Sequence, residues 1–176
     1  MLLGQPIRQI AYYVEDVREA ARRHSALFGS GPFFIMNLPP LDVVYRGNRI
    51  AYDQTGAVGQ WGKVQVELLQ ENGDGPSILH ELYPKGSGRT GIHHVAMFVD
   101  DVEDAVARCK KAGFDEAMRV KPQGTDITAV FIDAVATLAH FLDLYDPNPP
   151  LPGLYDMVEK AAVGFDGSDP VRSIQF

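Results

Sequence analysis

Two stretches of the chain share one order of apolar and acidic positions. Residues 9–17 and 94–102 each begin with a polar residue, continue through apolar residues, and end on an acidic pair followed by a valine. After Val17 and Val102, apolar or small residues recur every three or four positions, as they do on the buried face of an amphipathic helix. The chain therefore contains a repeat, and each copy is predicted to be a strand followed by a helix.

Each predicted helix has a start signal and precedes three β-rich runs. Asp16 and Asp101 stand immediately before the helical patterns, where their carboxylates can accept hydrogen bonds from amides of the first turn. The β-rich runs span residues 33–38, 43–52 and 64–70 after the first helix, and residues 114–120, 127–133 and 137–145 after the second. This order predicts an α+β fold of two tandem βαβββ modules, whose curved mixed sheet forms a cup with helices on its outer face.

The repeat also suggests a domain organisation. The modules are predicted to span about residues 6–70 and 91–146, and a bridge over residues 71–90 joins them, so that residues 1–146 form a single domain. A proline-rich spacer follows at residues 147–152, and the apolar positions after it indicate a short amphipathic helix ending at Gly164. We expect the joining segment to be a surface lid or bridge and not part of the core, and the last dozen residues to be mobile or bound to a partner.

Composition and charge narrow the classes of function. A length of 176 residues with 45% hydrophobic and 22% charged residues is typical of one globular domain. The formal charge of −7 would repel phosphate backbones and anionic lipids, so we expect neither nucleic acid nor a membrane as a partner. The single cysteine, Cys109, excludes a disulfide within the chain and fits a reducing compartment, so we expect a cytoplasmic protein.

Side-chain alternation brings four polar residues to one face of the predicted sheet. Gln9 and His94 occupy matched positions of the repeat, while His93 is expected on the helix-covered side with a structural hydrogen bond. Glu67 and Asp143 each lie among apolar residues in a closing strand, where an ionised carboxylate is costly without a partner. One divalent ion (Zn, Ni, Co, Mn, Fe or Mg) bound by all four side chains would supply that partner. Taken alone, His94 is better explained as a buried histidine with satisfied hydrogen bonds, and its match with Gln9 in the repeat is what favours a metal ligand.

Over about residues 6–147 the chain resembles the vicinal oxygen chelate superfamily, which contains glyoxalases, bleomycin-resistance proteins and extradiol dioxygenases. The resemblance is carried by residues 7–16, by the strand of Glu67, and by residues 91–96 and 140–144, which are similar to the four segments that hold the metal ligands of that family. Residues 31–34, 45–47 and 68–77 further resemble a glyoxalase-like subgroup. The resemblance implies a metal held by Gln9, Glu67, His94 and Asp143, and a homodimer.

The resemblance also implies an activity. In such a lyase or isomerase of the glyoxalase or epimerase type, two oxygens of a small substrate chelate the metal, and an enediolate forms as Glu67 or Asp143 removes the neighbouring proton. Aromatic side chains would line an apolar substrate pocket, with Arg46 or Arg89 for an anionic tail; these aromatic residues are Tyr13, Phe98, Phe141 and Tyr145.

Two departures from the family pattern bear on this activity. Extradiol dioxygenases use two histidine ligands and this chain offers only His94, which disfavours oxygen activation. Asp143 stands where glutamate is usual, and its shorter side chain weakens the fourth ligand position. The alternative function is a metal-free protein of the bleomycin-resistance type that sequesters a hydrophobic or aromatic small molecule.

Overall fold

The computed structural model of the chain describes residues 2–175. Within this range, eleven strands form one mixed sheet, and five helices accompany it, which confirms the predicted α+β class. The strands are β1 (Gln9–Tyr13), β2 (Phe33–Asn37), β3 (Leu41–Tyr45), β4 (Asn48–Ile50), β5 (Gln54–Trp61), β6 (Val64–Glu71), β7 (Gly91–Phe98), β8 (Glu116–Pro122), β9 (Ala129–Ile132), β10 (Phe141–Tyr145) and β11 (Val171–Gln175). The helices are α1 (Val17–Phe28), α2 (Leu79–Leu82), α3 (Val102–Lys111), α4 (Val135–Leu138) and α5 (Leu151–Ala162).

The two copies of the repeat meet at the centre of the sheet. The strand order is β11-β2-β5-β6-β1-β7-β10-β9-β8-β3-β4, so that β1 and β7, the first strands of the two copies, are neighbours. β1 runs antiparallel to β7 and parallel to β6, and β7 runs parallel to β10. This arrangement brings the strands that carry Gln9, Glu67, His94 and Asp143 side by side.

The helices α1 and α3 cover the outer face of the sheet. Asp16 accepts hydrogen bonds from the amides of Arg18 and Glu19 at 2.8 and 2.9 Å, and Asp101 accepts one from Asp104, as the capping signals predict. Under α1 an apolar cluster includes Val17, Ala21, Phe33, Val66 and Leu68, and under α3 a second cluster includes Val102, Ala105, Cys109, Ile132 and Leu144. Since each large apolar side chain contributes about 1.5–3 kcal/mol when fully buried, these clusters fix the helices to the sheet.

The first copy of the repeat differs from the predicted βαβββ order. The run predicted as one strand over residues 43–52 is the hairpin β3–β4, which pairs with β8 of the second copy. The strand that pairs with β6 is instead β5, which the sequence pattern missed because it contains Gly56 and Gly59. A Cβ at Gly56 would lie 2.6 Å from Met36 Cε, and one at Gly59 would lie 2.7 Å from Phe33 Cδ1, so both glycines permit close packing on β2.

The C-terminal part of the chain is also more ordered than we expected. The last dozen residues include β11, which pairs in parallel with β2, so the expectation of a mobile or partner-bound tail is wrong for the described residues. The predicted C-terminal helix is present as α5 and packs on the face of the sheet opposite α1, against β5 and β6. We call this second face the inner face. In the second copy, the run predicted over residues 137–145 contains the short helix α4 before β10 begins at Phe141.

Over residues 2–175, no helix combines the length and the apolar character needed to cross a bilayer.

Candidate active site

Side chains from four neighbouring strands form two rows on the inner face. The strands β6, β1, β7 and β10 lie side by side, and their registers align positions across the sheet. The first row contains Gln65, Gln9, Ala96 and Asp143, and the second contains Glu67, Ala11, His94 and Phe141. Because Ala11 and Ala96 have no side chain beyond Cβ, they leave space in which the polar side chains of both rows approach each other.

The two rows face a cavity of about 640 Å³. Its other walls come from β2, β5, β8 and β9, from α2, and from the first half of α5. Most of the lining is apolar, and it includes Met36, Leu69, Met118, Phe131 and Leu154. A cavity of this size and character suits a small organic molecule that a few polar groups orient.

A β-bulge places His93 beside His94 instead of under a helix. Ala11 of β1 pairs with His94, whereas the next residue, Tyr12, pairs with Ile92, so His93 has no partner position on β1. Such a bulge interrupts the alternation of side chains. The ring of His93 accordingly packs against Phe141, with centroids 5.1 Å apart, and the expectation that it lies on the helix side is wrong. Its expected hydrogen bond is present, because Nε2 lies 3.2 Å from the carbonyl oxygen of Ile78.

The hydrogen-bond partners assign the tautomers of the two histidines. Burial lowers the pKa of His93 and of His94 to about 3, so both rings are neutral near pH 7. The carbonyl oxygen of Ile78 can only accept, so His93 carries its proton on Nε2 and accepts at Nδ1. Its Nδ1 lies 2.9 Å from His94 Nδ1, which must therefore donate. The lone pair of His94 is then on Nε2, which faces Glu67 and Asp143.

Neither carboxyl group of the site has a cationic partner in the described chain; the side chain of Asp143 is buried and that of Glu67 is 14% exposed. Burial raises the pKa of Glu67 to about 7. Burial, followed by the charge of Glu67, raises the pKa of Asp143 well above its ordinary value. Because His94 is neutral, it does not offset either charge. Ionising both carboxyl groups together is therefore unfavourable unless a cation binds between them.

The donor atoms fit a divalent ion. His94 Nε2 and Asp143 Oδ1 are buried and lack hydrogen-bond partners in the described chain. His94 Nε2 lies 3.5 Å from Glu67 Oε2 and 3.9 Å from Asp143 Oδ2. Two ligand atoms that each lie about 2.1 Å from one ion are at most about 4.2 Å apart, so both separations are compatible with a shared ion. Within residues 2–175, no group of three His, Cys, Asp or Glu side chains is already arranged as a finished metal site.

Gln9 is the fourth candidate ligand, and it is held by a neighbour in its own row. Its Nε2 donates to Gln65 Oε1 at 2.6 Å, which leaves the amide oxygen of Gln9 as the atom available to an ion. Gln65 was not predicted as a site residue. Its position two residues before Glu67 in one strand was the available signal, because such residues share a face of the sheet.

The aromatic residues predicted to contact a substrate occupy different positions. Tyr145 lines the cavity, and its hydroxyl hydrogen-bonds to that of Tyr155 on α5. Phe98 packs beside this pair, with its ring centroid 5.1 Å from each, but it is outside the lining. Phe141 lies behind His93 and is also outside the lining. Tyr155 was missed because nothing in the local sequence shows that α5 packs into the cup.

Tyr13 and Arg46 lie away from the cavity lining. The ring of Tyr13 stacks on Tyr83 of the bridge, with centroids 5.5 Å apart. Arg46 binds Glu81 of α2 at 2.7 Å and Asp133 after β9 at 2.6 Å. Its guanidinium thus joins the β3–β4 hairpin, the bridge and the second copy of the repeat.

Comparisons with solved structures show which proteins share this fold. The chain is similar to methylmalonyl-CoA epimerase from Mycobacterium tuberculosis, with 16% identity and a TM-score of 0.57 over 86% of this chain and 93% of that one. It is also similar to a hypothetical protein from Bacillus halodurans, with 16% identity and a TM-score of 0.61 over 82% and 96% of the two chains. A variant of methylmalonyl-CoA epimerase from Streptomyces coelicolor in complex with 2-nitronate-propionyl-CoA has 16% identity and a TM-score of 0.57 over 82% and 97%. At this level of identity the likeness concerns the fold alone.

The sequence comparisons give the family. A search of curated protein sequences found no significant match. The family model described as "Glyoxalase/Bleomycin resistance protein/Dioxygenase superfamily" matches residues 8–131, a segment that contains β1 to β8 and most of β9, and therefore three of the four aligned polar positions. That match covers more than half of this chain, so the chain belongs to the glyoxalase, bleomycin-resistance protein and dioxygenase superfamily.

Proposed function

We propose that the chain is a metal-dependent enzyme of the glyoxalase or epimerase type, which moves a proton at the carbon next to a carbonyl group of a small oxygenated substrate. One divalent ion would be held by Gln9, Glu67, His94 and Asp143. The observation that carries the proposal is a cluster of two carboxyl groups and a neutral imidazole that faces a largely apolar cavity, and in which His94 Nε2 and Asp143 Oδ1 are buried without hydrogen-bond partners in the described chain.

Glu67 has the properties of the group that accepts the proton. In the metal-free protein its pKa of about 7 means that near neutral pH the carboxyl group can both take up and return a proton. The neighbouring Leu69 and Ala11 are buried and apolar, and such surroundings strengthen the interaction of a carboxylate with a bound substrate. Asp143, whose pKa is also raised, is the second candidate for the proton acceptor. It would serve a reaction that needs proton transfer on both faces of the substrate carbon.

The other residues of the cluster hold and orient the candidate metal-ligand atoms. His94 presents the lone pair of Nε2 because His93 occupies its other nitrogen, and Gln65 fixes the Gln9 amide. A bound divalent ion supplies positive charge that polarises substrate oxygens and stabilises negative charge developing on them. The Tyr145 and Tyr155 hydroxyl groups are available for one further hydrogen bond to a ligand in the cavity.

The test combines metal content with proton exchange. We expect about one tightly bound divalent ion per chain after metal loading, and exchange of the α-proton of an α-hydroxy ketone such as 2-hydroxyacetophenone in D2O, followed by NMR. The substitutions Glu67→Gln and Asp143→Asn should reduce both. Glu71→Gln is the matched control, because Glu71 lies on the same strand and face but outside the cavity lining, and glutamine keeps an oxygen for the Gly73 amide.

The second candidate function is metal-free sequestration of a hydrophobic compound. The observation that favours it is the largely apolar lining of the cavity, to which α5 adds Leu151 and Leu154. In that case the purified chain would bind aromatic ligands equally well with and without divalent ions, and neither Glu67→Gln nor Asp143→Asn would weaken the binding. Absence of metal after attempted loading, together with such binding, would favour this function over the enzyme.

A further inference from the structure

We propose that the cavity selects an uncharged, largely apolar substrate and excludes acyl-coenzyme A thioesters and other anionic molecules. That the substrate also carries two neighbouring oxygens rests on the proposed function, whereas its neutrality rests on the charges around the cavity. Such a preference would distinguish this chain from the Streptomyces coelicolor epimerase variant, whose solved structure contains 2-nitronate-propionyl-CoA.

The cavity lining offers no cation to an anionic ligand. Among the described residues that line it, none is a lysine or an arginine, and the ionisable ones besides tyrosines are Glu67, His94 and Asp143. No side chain of the described lining can therefore pair with an anionic ligand as a lysine or arginine would. A carboxylate or phosphate in the part of the cavity away from Glu67, His94 and Asp143 would therefore be desolvated without a counter-charge, also when an ion is bound by those residues.

The exposed rim of the lining is uncharged as well. Its exposed residues come from the end of β2, from the turn between β8 and β9, and from the start of α5; they are Asn37, Gln123, Gly124 and Pro150. Lys121 is close in sequence, but it alternates with the lining residues Val120 and Pro122 and is paired in register with Asp42. A phosphate group that protruded from the cavity would thus meet amide and apolar groups at the rim.

The basic residues that could bind an anionic tail of a substrate lie outside the cavity lining. Arg46 is held by Glu81 and Asp133 outside the lining. Arg8 stacks on the Phe98 and Tyr155 rings, with its guanidinium carbon 5.6 Å from each centroid, and also lies outside the lining. The expectation that Arg46 or Arg89 contacts an anionic substrate therefore has no support among the residues that surround the cavity.

The experiment compares probes that differ in charge. Isothermal titration calorimetry of the full chain, both zinc-loaded and metal-free, would measure binding of 2-hydroxyacetophenone, its 4-carboxylate derivative and propionyl-CoA. We expect the carboxylate to bind at least about tenfold more weakly than the neutral ketone, since unpaired and like charges disfavour binding, and propionyl-CoA to show no binding. Equal or tighter binding of either anion would overturn the proposal, as would failure of the neutral ketone to bind at millimolar concentration.

A rim substitution tests the electrostatic reason. Asn37 is exposed and lines the cavity, so Asn37→Lys should fold normally and should raise the affinity for the carboxylated probe at least about threefold relative to the neutral probe. Asn37→Met is the uncharged control and should leave the ratio of the two affinities unchanged. An unchanged ratio in Asn37→Lys would contradict the role of the missing cation.

Failure of this proposal can be told apart from failure of the proposed function. If the neutral ketone binds but its α-proton does not exchange in D2O, the selectivity stands and the enzyme function fails. If the carboxylated ketone binds as well as the neutral one and exchanges its α-proton, the enzyme function stands and the selectivity fails.

Discussion

The two faces of β6 carry different kinds of side chain although they belong to one strand. On the outer face, Val66 and Leu68 pack with Ala21 of α1 in an apolar cluster. On the inner face, Gln65 and Glu67 face the cavity, and Gln65 Nε2 has no hydrogen-bond partner in the described chain. The strand thus contributes to stability with one set of side chains and presents candidate chemistry with the other. Substitutions at neighbouring positions should separate these two contributions.

The largest expected contrast is between Glu67→Gln and Leu68→Ala. We expect Glu67→Gln to slow α-proton exchange by at least about 100-fold, because the proposed proton acceptor is lost. Leu68→Ala should lower the free energy of unfolding by about 2–5 kcal/mol, because Leu68 is 2% exposed and its removal leaves a cavity. Kinetics in D2O and urea denaturation measure the two effects.

This contrast would fail in two ways. If the folded fraction of Leu68→Ala exchanged the α-proton as slowly as Glu67→Gln does, the two faces of β6 would not be independent. If Glu67→Gln lowered stability at pH 7 by as much as Leu68→Ala, Glu67 would be a structural residue.

The second prediction concerns the pH dependence of the metal-free protein. Folded Glu67 keeps its proton up to a pH of about 7, whereas an ordinary glutamate ionises near 4.5. The folded state therefore binds more protons between these values, and the contribution of Glu67 to the free energy of unfolding is lost as the pH rises through them. We expect Glu67→Gln to gain on the order of 3 kcal/mol relative to wild type between pH 4.5 and pH 7.

The two buried histidines of the site change the stability in the opposite direction as the pH rises. His93 and His94 have a pKa of about 3 when folded and 6.5 ordinarily, so stability is lost as the pH falls through this interval. Comparison of wild type with Glu67→Gln at each pH removes the effect of the histidines. Saturating zinc should reduce the slope, because the ion favours the ionised carboxylate. A parallel pair of stability curves for wild type and Glu67→Gln would contradict the prediction.

The third prediction tests the role of His93 in orienting His94. His93→Phe removes the acceptor for His94 Nδ1, and we expect the metal affinity to fall by about 10- to 100-fold. His93→Asn offers an oxygen acceptor and should recover part of the loss. Nitrogen chemical shifts of the His94 ring report which nitrogen carries the proton, and this signature should change in His93→Phe. His24→Gln is the control, since His24 belongs to α1 on the outer face of the sheet.

Sequence reasoning succeeded where only alternation along regular strands was needed. It placed Gln9, Glu67, His94 and Asp143 on one face, and the structure has all four there, while their roles remain predictions. It misplaced His93 because a bulge is a property of the paired strands, and alternation along one strand cannot reveal it.

Features that depend on distant packing escaped prediction. Strand β5 was missed because Gly56 and Gly59 weaken the strand signal, although β2 and β6 complete its pairing. The position of α5 in the cup, and with it the contact of Tyr155 with Tyr145, depends on packing between segments far apart in sequence. The part of the site that a substrate would meet was therefore less predictable than the part that would hold an ion.

The smallest expected contrast compares two buried alanines. Ala11 lies between Glu67 and His94 on the inner face, and Ala57 lies in the cluster under α1; both are fully buried. Valine at either position adds volume to a packed region and should cost about 1–3 kcal/mol of stability. Only Ala11→Val should also weaken metal binding, because the added methyl groups occupy the space that lets the carboxylate and the imidazole approach one ion. Calorimetric titration with zinc would show this difference, and equal zinc affinities in the two folded variants would mean that the small side chain at position 11 does not shape the site.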